Sequence, residues 1–434
     1  MMCQQHFVTS FNERNCHGHD HDHDDHRSDP EYMEIVNQTA ENMRSAVRKY
    51  IAQISHQQQH ESIMQGKNVE RLGMYGREIL MDHEHQADHH LYPIKLVGIL
   101  ATNNTCRTNH IGAPPTSSHL ISSNSFHTRY DDDTHGNEQY SEQIANCCGR
   151  DGIVYETWRV PPSRTSLEYA IEEANTRQDV HGVLIFYPLV DKLIDDDITT
   201  SDRIYKNQET GVYYRTIDDY FRDLVDCGKD VEGYCRSRLR MQKPHNMEDI
   251  NEEDFAEEIM KAETVVGPIH PCTALAVYKV LESLQSSDDG SRPYEQTTMT
   301  IINRSEVLGL PLAIMLSSQG ATVYSIDKDS ILVFLPNEKV RREDTATMEQ
   351  CVRDSSVIIS GVPSCAFKVP TDWIPANATV INVAAESNFD EETLSNGYRG
   401  IKYVPHVGRV TVAALEYNLM RLHRQAQMYS TQIE

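Results

Sequence analysis

The sequence predicts an α/β protein built as two α/β units, the second carrying a strand–helix–strand segment of the kind that holds a nucleotide. Three observations support this. Nearly all-apolar runs of strand length alternate with helical periodicities, the pattern of parallel strands covered on both faces. The alternation occurs twice, on either side of a charged stretch at about 190–262. Residues 302–327, INRSEVLGLPLAIMLSSQGATVYSID, run from an apolar strand into a glycine-and-proline helix start, then along a second strand that ends on aspartate. With 434 residues the chain has room for two or three domains and a sizeable core.

In chain order, residues 1–30 include HGHDHDHDDH at 17–26, a solvated His/Asp tail whose side chains could also chelate a divalent metal weakly. From Ile35, the positions Val36, Ala40, Met43, Val47, Tyr50 and Ile54 recur at three- and four-residue spacing, one stripe of a helix. A polar, Gln- and His-rich stretch follows to about residue 92, and IKLVGILA at 94–101 reads as a buried strand. Residues 103–136 are rich in Ser, Asn, Thr, His and Asp and read as a disordered insertion. A helix at 140–148 then leads to the strand IVYETWRV (153–160), a helix at about 167–175 and the strand GVLIFYPL (182–189).

Residues 190–228 and 236–262 are charged and irregular, and are expected to decorate the surface. PIHPCTALAVYKVLESL (268–284) starts a helix after a proline turn. Strands at 299–302, 322–326, 357–360 and 380–383 alternate with helical segments, and a last helix from Thr411 is expected to pack back on the first unit.

Composition narrows the function. The balance of 40 Lys+Arg against 65 Asp+Glu gives a formal net charge of -25, which disfavours nucleic acid and anionic membrane surfaces as partners. No apolar run approaches the roughly 20 residues of a membrane helix. Ten cysteines include no CxxC pair, and Cys147 and Cys148 are adjacent, so they read as reduced thiols in a cytoplasmic setting. The N-terminal MMCQQHFVTSFNERNC lacks the apolar core of a secretory signal, and the acids after it argue against a transit peptide.

In a βαβ nucleotide site, free N–H groups and partial positive charge at the helix start face the pyrophosphate. Here the turn after Ile302 is Asn303-Arg304-Ser305, with Gly309 and Pro311 at the helix start in place of GxGxxG. Arg304 and Ser305 are candidate phosphate contacts. The second strand ends at Asp327, near the spacing at which a carboxylate accepts hydrogen bonds from the adenosine ribose and repels an extra phosphate there. On spacing alone, a strand–helix–strand unit with no ligand fits equally well.

KDVEG (229–233), PCTAL (271–275), INRSEVLGLP (302–311), GATVYSID (320–327), SGVPS (360–364) and GRVTVAAL (408–415) together resemble, in that order, the methylenetetrahydrofolate dehydrogenase/cyclohydrolase family. The similarity covers about residues 140–422 plus the strand at 94. INRSE in place of the usual GRSxxVG, with YSID at the second strand, looks most like the NAD-dependent monofunctional branch found in fungi. The resemblance implies two α/β domains around a cleft: a folate-binding domain over 31–272 with polar insertions, and a Rossmann-like NAD-binding domain over 273–411. A C-terminal helix at 412–434 would pack back on the first. It also implies a homodimer and hydride transfer from 5,10-methylenetetrahydrofolate to NAD, a reaction in which placement of the two rings is the main demand on the protein.

In the bifunctional family, the cyclohydrolase step uses a lysine four residues after a substrate-stacking tyrosine, tuned by a glutamine at a QLP-type strand end. The matching tyrosine here is Tyr140, but Ile144 stands four residues on, and Phe186-Tyr187-Pro188 replaces the glutamine motif. An alkyl chain cannot act as general acid or base, so the resemblance implies a dehydrogenase that has lost hydrolysis. The alternatives are a bifunctional enzyme using another lysine, or a non-catalytic folate- or nucleotide-binding protein.

Tyr140 and Glu232 are the implied catalytic residues, with Glu232 taking the position of the family's pterin-binding acid and Asp230 in a more structural place. Phe186, Tyr187, Pro405 and His406 complete the implied folate contacts. VPHVGRVT (404–411) replaces the family's glycine-rich loop and is one residue shorter. The implied NAD contacts are Asn303, Arg304, Ser305, Gly309, Asp327, Lys328, Gly361 and Val362. No metal is implied, and Cys272 reads as a buried turn thiol.

Overall fold

A computed structural model describes residues 30–64, 93–102, 131–189, 205–206, 213–214, 216–234, 269–284, 294–336 and 339–433. The His/Asp tail expected at 1–30 lies outside these residues apart from Pro30. In chain order the elements of the first part are α1 (Pro30–Met64), β1 (Lys95–Ala101), α2 (Asp131–Asp151), β2 (Val154–Val160), α3 (Arg164–Thr176), β3 (Gly182–Ile185), the short antiparallel pair β4 (Tyr205–Lys206) and β5 (Tyr213–Tyr214), and α4 (Ile217–Leu224). The second part holds α5 (Cys272–Leu284), β6 (Thr298–Ile302), α6 (Gly309–Ser318), β7 (Thr322–Ile326), β8 (Ile331–Phe334), β9 (Val340–Arg342), α7 (Met348–Arg353), β10 (Val357–Ser360), β11 (Thr379–Asn382), α8 (Glu391–Ser395), β12 (Lys402–Val404) and α9 (Gly408–Ile433).

The first sheet is parallel with order β2-β1-β3. Both faces of β1 are buried, because its successive side chains alternate between two apolar layers: Leu96 and Leu100 join one core, Val97 and Ile99 the other. One layer is completed by α1, α2, α5 and α9, the other by α3 and α4. α3 starts where the Ser163 hydroxyl accepts the Ser166 N–H at 3.2 Å, and it buries Leu167, Ala170, Ile171 and Ala174, one helical stripe.

The second sheet has seven strands in the order β12-β11-β10-β6-β7-β8-β9, with β8 and β9 antiparallel at one edge. The chain leaves β6 toward β7, then returns on the other side of β6 through β10. That reversal makes the C-terminal ends of β6 and β10 a topological switch point of a doubly wound, Rossmann-like sheet. α9 packs along α1 and α5 and also reaches the first sheet: a Cβ on Gly182 would lie 2.6 Å from a Leu419 methyl.

Three expectations change. The segment expected to be disordered at 103–136 already contains the start of α2 at Asp131. The expected strand 182–189 ends at Ile185, the last residue of β3 paired with β1, and Phe186–Leu189 lie beyond it. Residues 217–222 do not decorate the surface, since Ile217, Asp218, Asp219, Tyr220, Phe221 and Arg222 of α4 are all buried, whereas Asp226, Cys227 and Gly228 are exposed as expected. The apolar positions Ile217, Tyr220, Phe221 and Leu224 follow helical spacing behind the N-cap Thr216, a stripe hidden by the intervening charges.

Candidate active site

At the switch point, Asn303 leaves β6 in the left-handed region, with φ 85°. Its amide Nδ2 donates to the Gly361 carbonyl at 2.6 Å, while Gly361 N–H donates to Ile302 O at 3.1 Å, joining the exits of β6 and β10. Gly309 opens α6 so close to this turn that a Cβ would lie 2.1 Å from the Asn303 carbonyl oxygen. Only glycine permits that approach, which is the packing a pyrophosphate-holding turn needs.

Arg304 points along the sheet to the end of β7, where it donates to Ser325 O at 2.8 Å and to the Ser330 hydroxyl. Ser305 Oγ accepts the Leu308 N–H at 3.2 Å and so shapes the turn. Asp327 sits half-buried at the end of β7; its N–H donates to Ser330 O at 2.9 Å and its carboxylate accepts the N–H of exposed Lys328.

Two asparagines not singled out in the sequence complete this edge. Asn388 accepts from Ser360 Oγ at 2.8 Å and Val362 N–H at 2.9 Å, and donates to Val362 O at 2.9 Å. Asn382, the last residue of β11, donates to Ala384 O at 2.8 Å and Pro405 O at 3.2 Å and accepts the Asn388 N–H, tying the loop before α9 to the exit of β11 and, through Asn388, to that of β10. Their only signal in the sequence is a pair of amides flanking VAAES just after a strand. His406 in that loop is half-buried, and burial followed by the Arg409 charge lowers its pKa, so the imidazole is neutral near pH 7.

The second group of residues gathers at the end of β3. Tyr140 of α2 meets Phe186 edge-to-face at 6.0 Å, and both are buried with Ile144, which has no exposed surface. Burial, then the neighbouring Cys272 and Glu232, push the Tyr140 phenol well above its ordinary value and keep it neutral. Tyr187 is likewise pushed up by burial, with the Arg222 cation opposing. Glu232 is buried, and its Oε2 lies 3.4 Å from the Ile185 N–H.

Asp230 shapes the turn that carries Glu232. Its Oδ1 accepts the N–H groups of Glu232 at 3.0 Å and Gly233 at 2.9 Å. Gly233 has φ 75°, and a Cβ there would press on the His270 carbonyl carbon at 2.9 Å. Asn418 of α9 donates to Val231 O and His270 O, both at 2.9 Å, and the Cys272 thiol donates to Val231 O at 3.2 Å. Burial raises the Cys272 thiol well above its ordinary value, with Glu232 adding to the effect, so it is a structural donor, not a thiolate.

The structure therefore brings Tyr140, Phe186, Tyr187 and Glu232 to one place and Asn303, Gly309, Gly361 and Val362 to another. Arg304, Ser305 and Asp230 spend hydrogen bonds on the frame, and Pro405 and His406 lead into the start of α9. Among the described residues, no cluster of three or more His, Cys, Asp or Glu could hold a metal ion, and no helix is long and apolar enough to cross a membrane.

A doubly wound sheet with a glycine-packed, amide-tied switch point defines a Rossmann-like α/β protein of the dinucleotide-binding class, which here also carries a buried aromatic–carboxylate cluster. Residues 271–427 match the family model described as tetrahydrofolate dehydrogenase/cyclohydrolase, NAD(P)-binding domain. A methylenetetrahydrofolate dehydrogenase [NAD(+)] of Dictyostelium discoideum is 34% identical over 298 residues, 67% of this chain and 82% of the relative. One of Schizosaccharomyces pombe is 34% identical over 293 residues, 65% of this chain and 79% of the relative.

Among solved structures, the NAD-dependent 5,10-methylenetetrahydrofolate dehydrogenase from Saccharomyces cerevisiae superposes with a TM-score of 0.55 at 23% identity, covering 91% of this chain and 97% of that one. The chain belongs to the tetrahydrofolate dehydrogenase/cyclohydrolase family.

Proposed function

We propose that the protein oxidises 5,10-methylenetetrahydrofolate to 5,10-methenyltetrahydrofolate with NAD and does not hydrolyse the product. The observation that carries the second clause is the apolar wall of Ile144 and Phe186 against Tyr140. Relatives named as NAD(+)-dependent methylenetetrahydrofolate dehydrogenases support the first.

The residues at the switch point fit a dinucleotide: Gly309 lets the helix start approach, and Asn303, Gly361 and Val362, bonded to the neighbouring strand exits and to Asn388, hold the edges of the crevice in place. NAD, when bound, supplies the hydride acceptor. Asp327 selects it by accepting from the ribose hydroxyls and repelling a 2′-phosphate.

On the folate side, Glu232 accepts the pterin amino group and Tyr140 packs against the ring, which fixes the one-carbon bridge. The lone pair of the adjoining nitrogen expels the hydride, so no side chain has to move a proton. Water attack on the methenyl carbon needs proton transfer, and Ile144 and Phe186 supply none. On this reading residues 31–272 form the folate-binding part and 273–411 the NAD-binding part, with the C-terminal helix at 412–434 returning to the first. The family's usual arrangement makes the protein a homodimer, and a cytoplasmic site suits its reduced thiols.

The test is one assay: protein with 5,10-methylenetetrahydrofolate and either NAD or NADP, following reduced cofactor and methenyl product together. Reduced NAD and methenyl product should appear in equal amounts. Equal efficiency with NADP would overturn the cofactor assignment, and methenyl hydrolysis well above the buffer rate would overturn the loss of the second step.

A further inference from the structure

α4 lies outside every residue the folate reading uses, yet it touches both segments that carry the folate contacts. Its Asp218 is completely buried. Asp218 Oδ1 accepts the Leu189 N–H at 2.9 Å, just past the Phe186–Pro188 corner, and its Oδ2 has no hydrogen-bond partner among the described residues. Arg222, one turn along, pairs with Asp219 Oδ1 at 3.0 Å. Its guanidinium carbon stands 4.8 Å from the Tyr187 ring centroid and 5.2 Å from that of Tyr234. Tyr187 follows Phe186, and Tyr234 lies two residues after Glu232. One cation is thus held between two rings, each attached to a segment of the folate pocket.

The fold does not need charge here. Ile217, Tyr220 and Phe221 already give α4 its apolar face. Burying two carboxylates and a guanidinium is costly, and apolar residues of similar volume often serve stability as well or better. What the charged set adds is direction: a carboxylate that fixes one backbone N–H, and a planar cation that fixes the face of a ring.

We propose that Asp218 and Arg222 are positioning residues for the folate pocket, Asp218 by pinning the chain that leaves β3 and Arg222 by clamping Tyr187 against Tyr234. The inference rests on the folate reading of Phe186, Tyr187 and Glu232. It predicts that α4 controls folate affinity and leaves cofactor affinity alone, since none of the switch-point hydrogen bonds involve it.

The experiment is steady-state kinetics on the full chain for wild type, Arg222→Met, Arg222→Lys, Asp218→Asn and Asp218→Leu, with thermal unfolding recorded for each. Arg222→Met should raise KM for 5,10-methylenetetrahydrofolate about tenfold while KM for NAD stays within about twofold. Arg222→Lys, which keeps the cation but not the plane, should recover part of the loss and remains informative if the methionine variant unfolds. Asp218→Asn, which keeps an acceptor for Leu189 N–H, should be milder than Asp218→Leu.

A folate KM that is unchanged, or that moves in step with the NAD KM, would overturn the positioning role. So would Arg222→Lys behaving no better than Arg222→Met. Wild-type protein that transfers no hydride from methylenetetrahydrofolate would instead bring down the underlying reading, and the positioning role with it.

Discussion

The sharpest steric demand in the structure is at Gly309, and its replacement by alanine tests the dinucleotide assignment. The added methyl carbon would lie 2.1 Å from Asn303 O and 2.8 Å from Arg304 Cα, both backbone atoms that no rotamer change can move. Ordinary van der Waals contact begins near 3.4 Å, so the turn and the start of α6 must separate by about 1 Å. Asn303 cannot follow freely, because its side chain is tied to Gly361 O at 2.6 Å and its N–H to Ile326 O at 2.9 Å. Overpacking of this kind costs about 1–3 kcal/mol of stability. A misplacement of about 1 Å at a binding turn costs on the order of 100-fold in rate. Gly309→Ala should therefore lower kcat/KM for NAD by about 100-fold, mainly through KM, and lower the unfolding midpoint by a few degrees, while folate binding measured by fluorescence quenching stays close to wild type. An NAD KM within twofold of wild type in the alanine variant would refute the placement of the cofactor at this turn.

Three further outcomes follow from other residues. Asp327→Ser should raise the ratio of NADP to NAD efficiency by at least about tenfold, because it removes a carboxylate facing the 2′-phosphate position; an unchanged ratio in parallel assays would refute its role. Asn388→Ala strips the partners from Ser360 Oγ, Val362 N–H and Val362 O, and should cost about 2–4 kcal/mol in urea unfolding, together with a raised NAD KM. Glu416 of α9 is fully buried beside Arg44 at 3.3 Å, and burial pushes its carboxyl up to about 7, with Arg44 opposing and Asp151 reinforcing. Its folded pKa thus lies above its unfolded value near 4.5, so its contribution to stability is complete below that value and is lost as pH rises through about 7. Glu416→Gln should flatten the fall in stability between pH 5 and 8, and identical pH slopes for both proteins would refute the shift.

The parts of the molecule that were legible in the sequence are those in which one residue type has one physical use. Apolar runs such as IKLVGILA become buried parallel strands because nothing else satisfies them, and INRSEVLGLP marks a helix start because Gly309 must let two backbones touch. Arg304 and Ser305 show the limit of such reading. A guanidinium and a hydroxyl at a turn suit a phosphate, but the same groups also suit Ser325 O and the Leu308 N–H, and in this structure those bonds are made. α4 was missed for a related reason: IDDYFRDL reads as solvated because its acids interrupt the apolar stripe, and only the fold shows Asp219 paired with Arg222 and Asp218 on Leu189.

That contrast bears on how the two halves of the site are specified. The NAD side is built almost wholly from backbone geometry, so its signature is a few glycines and small residues, and amides such as Asn382 and Asn388 only hold the strand exits in place. The proposed folate side is built from side chains carried on separate segments: α2 for Tyr140, the exit of β3 for Phe186 and Tyr187, and a turn shaped by Asp230 for Glu232. Segments far apart in sequence can be brought to one pocket only if something fixes them to each other. Asn418 does so from α9, by joining Val231 O to His270 O, and α4 does so through Leu189 and the two tyrosine rings. Changes in these ties should therefore show up in folate KM, whereas changes at Gly309 or Asn388 should show up in NAD KM. A variant of Asn418 that altered the NAD KM alone would contradict this division of the site.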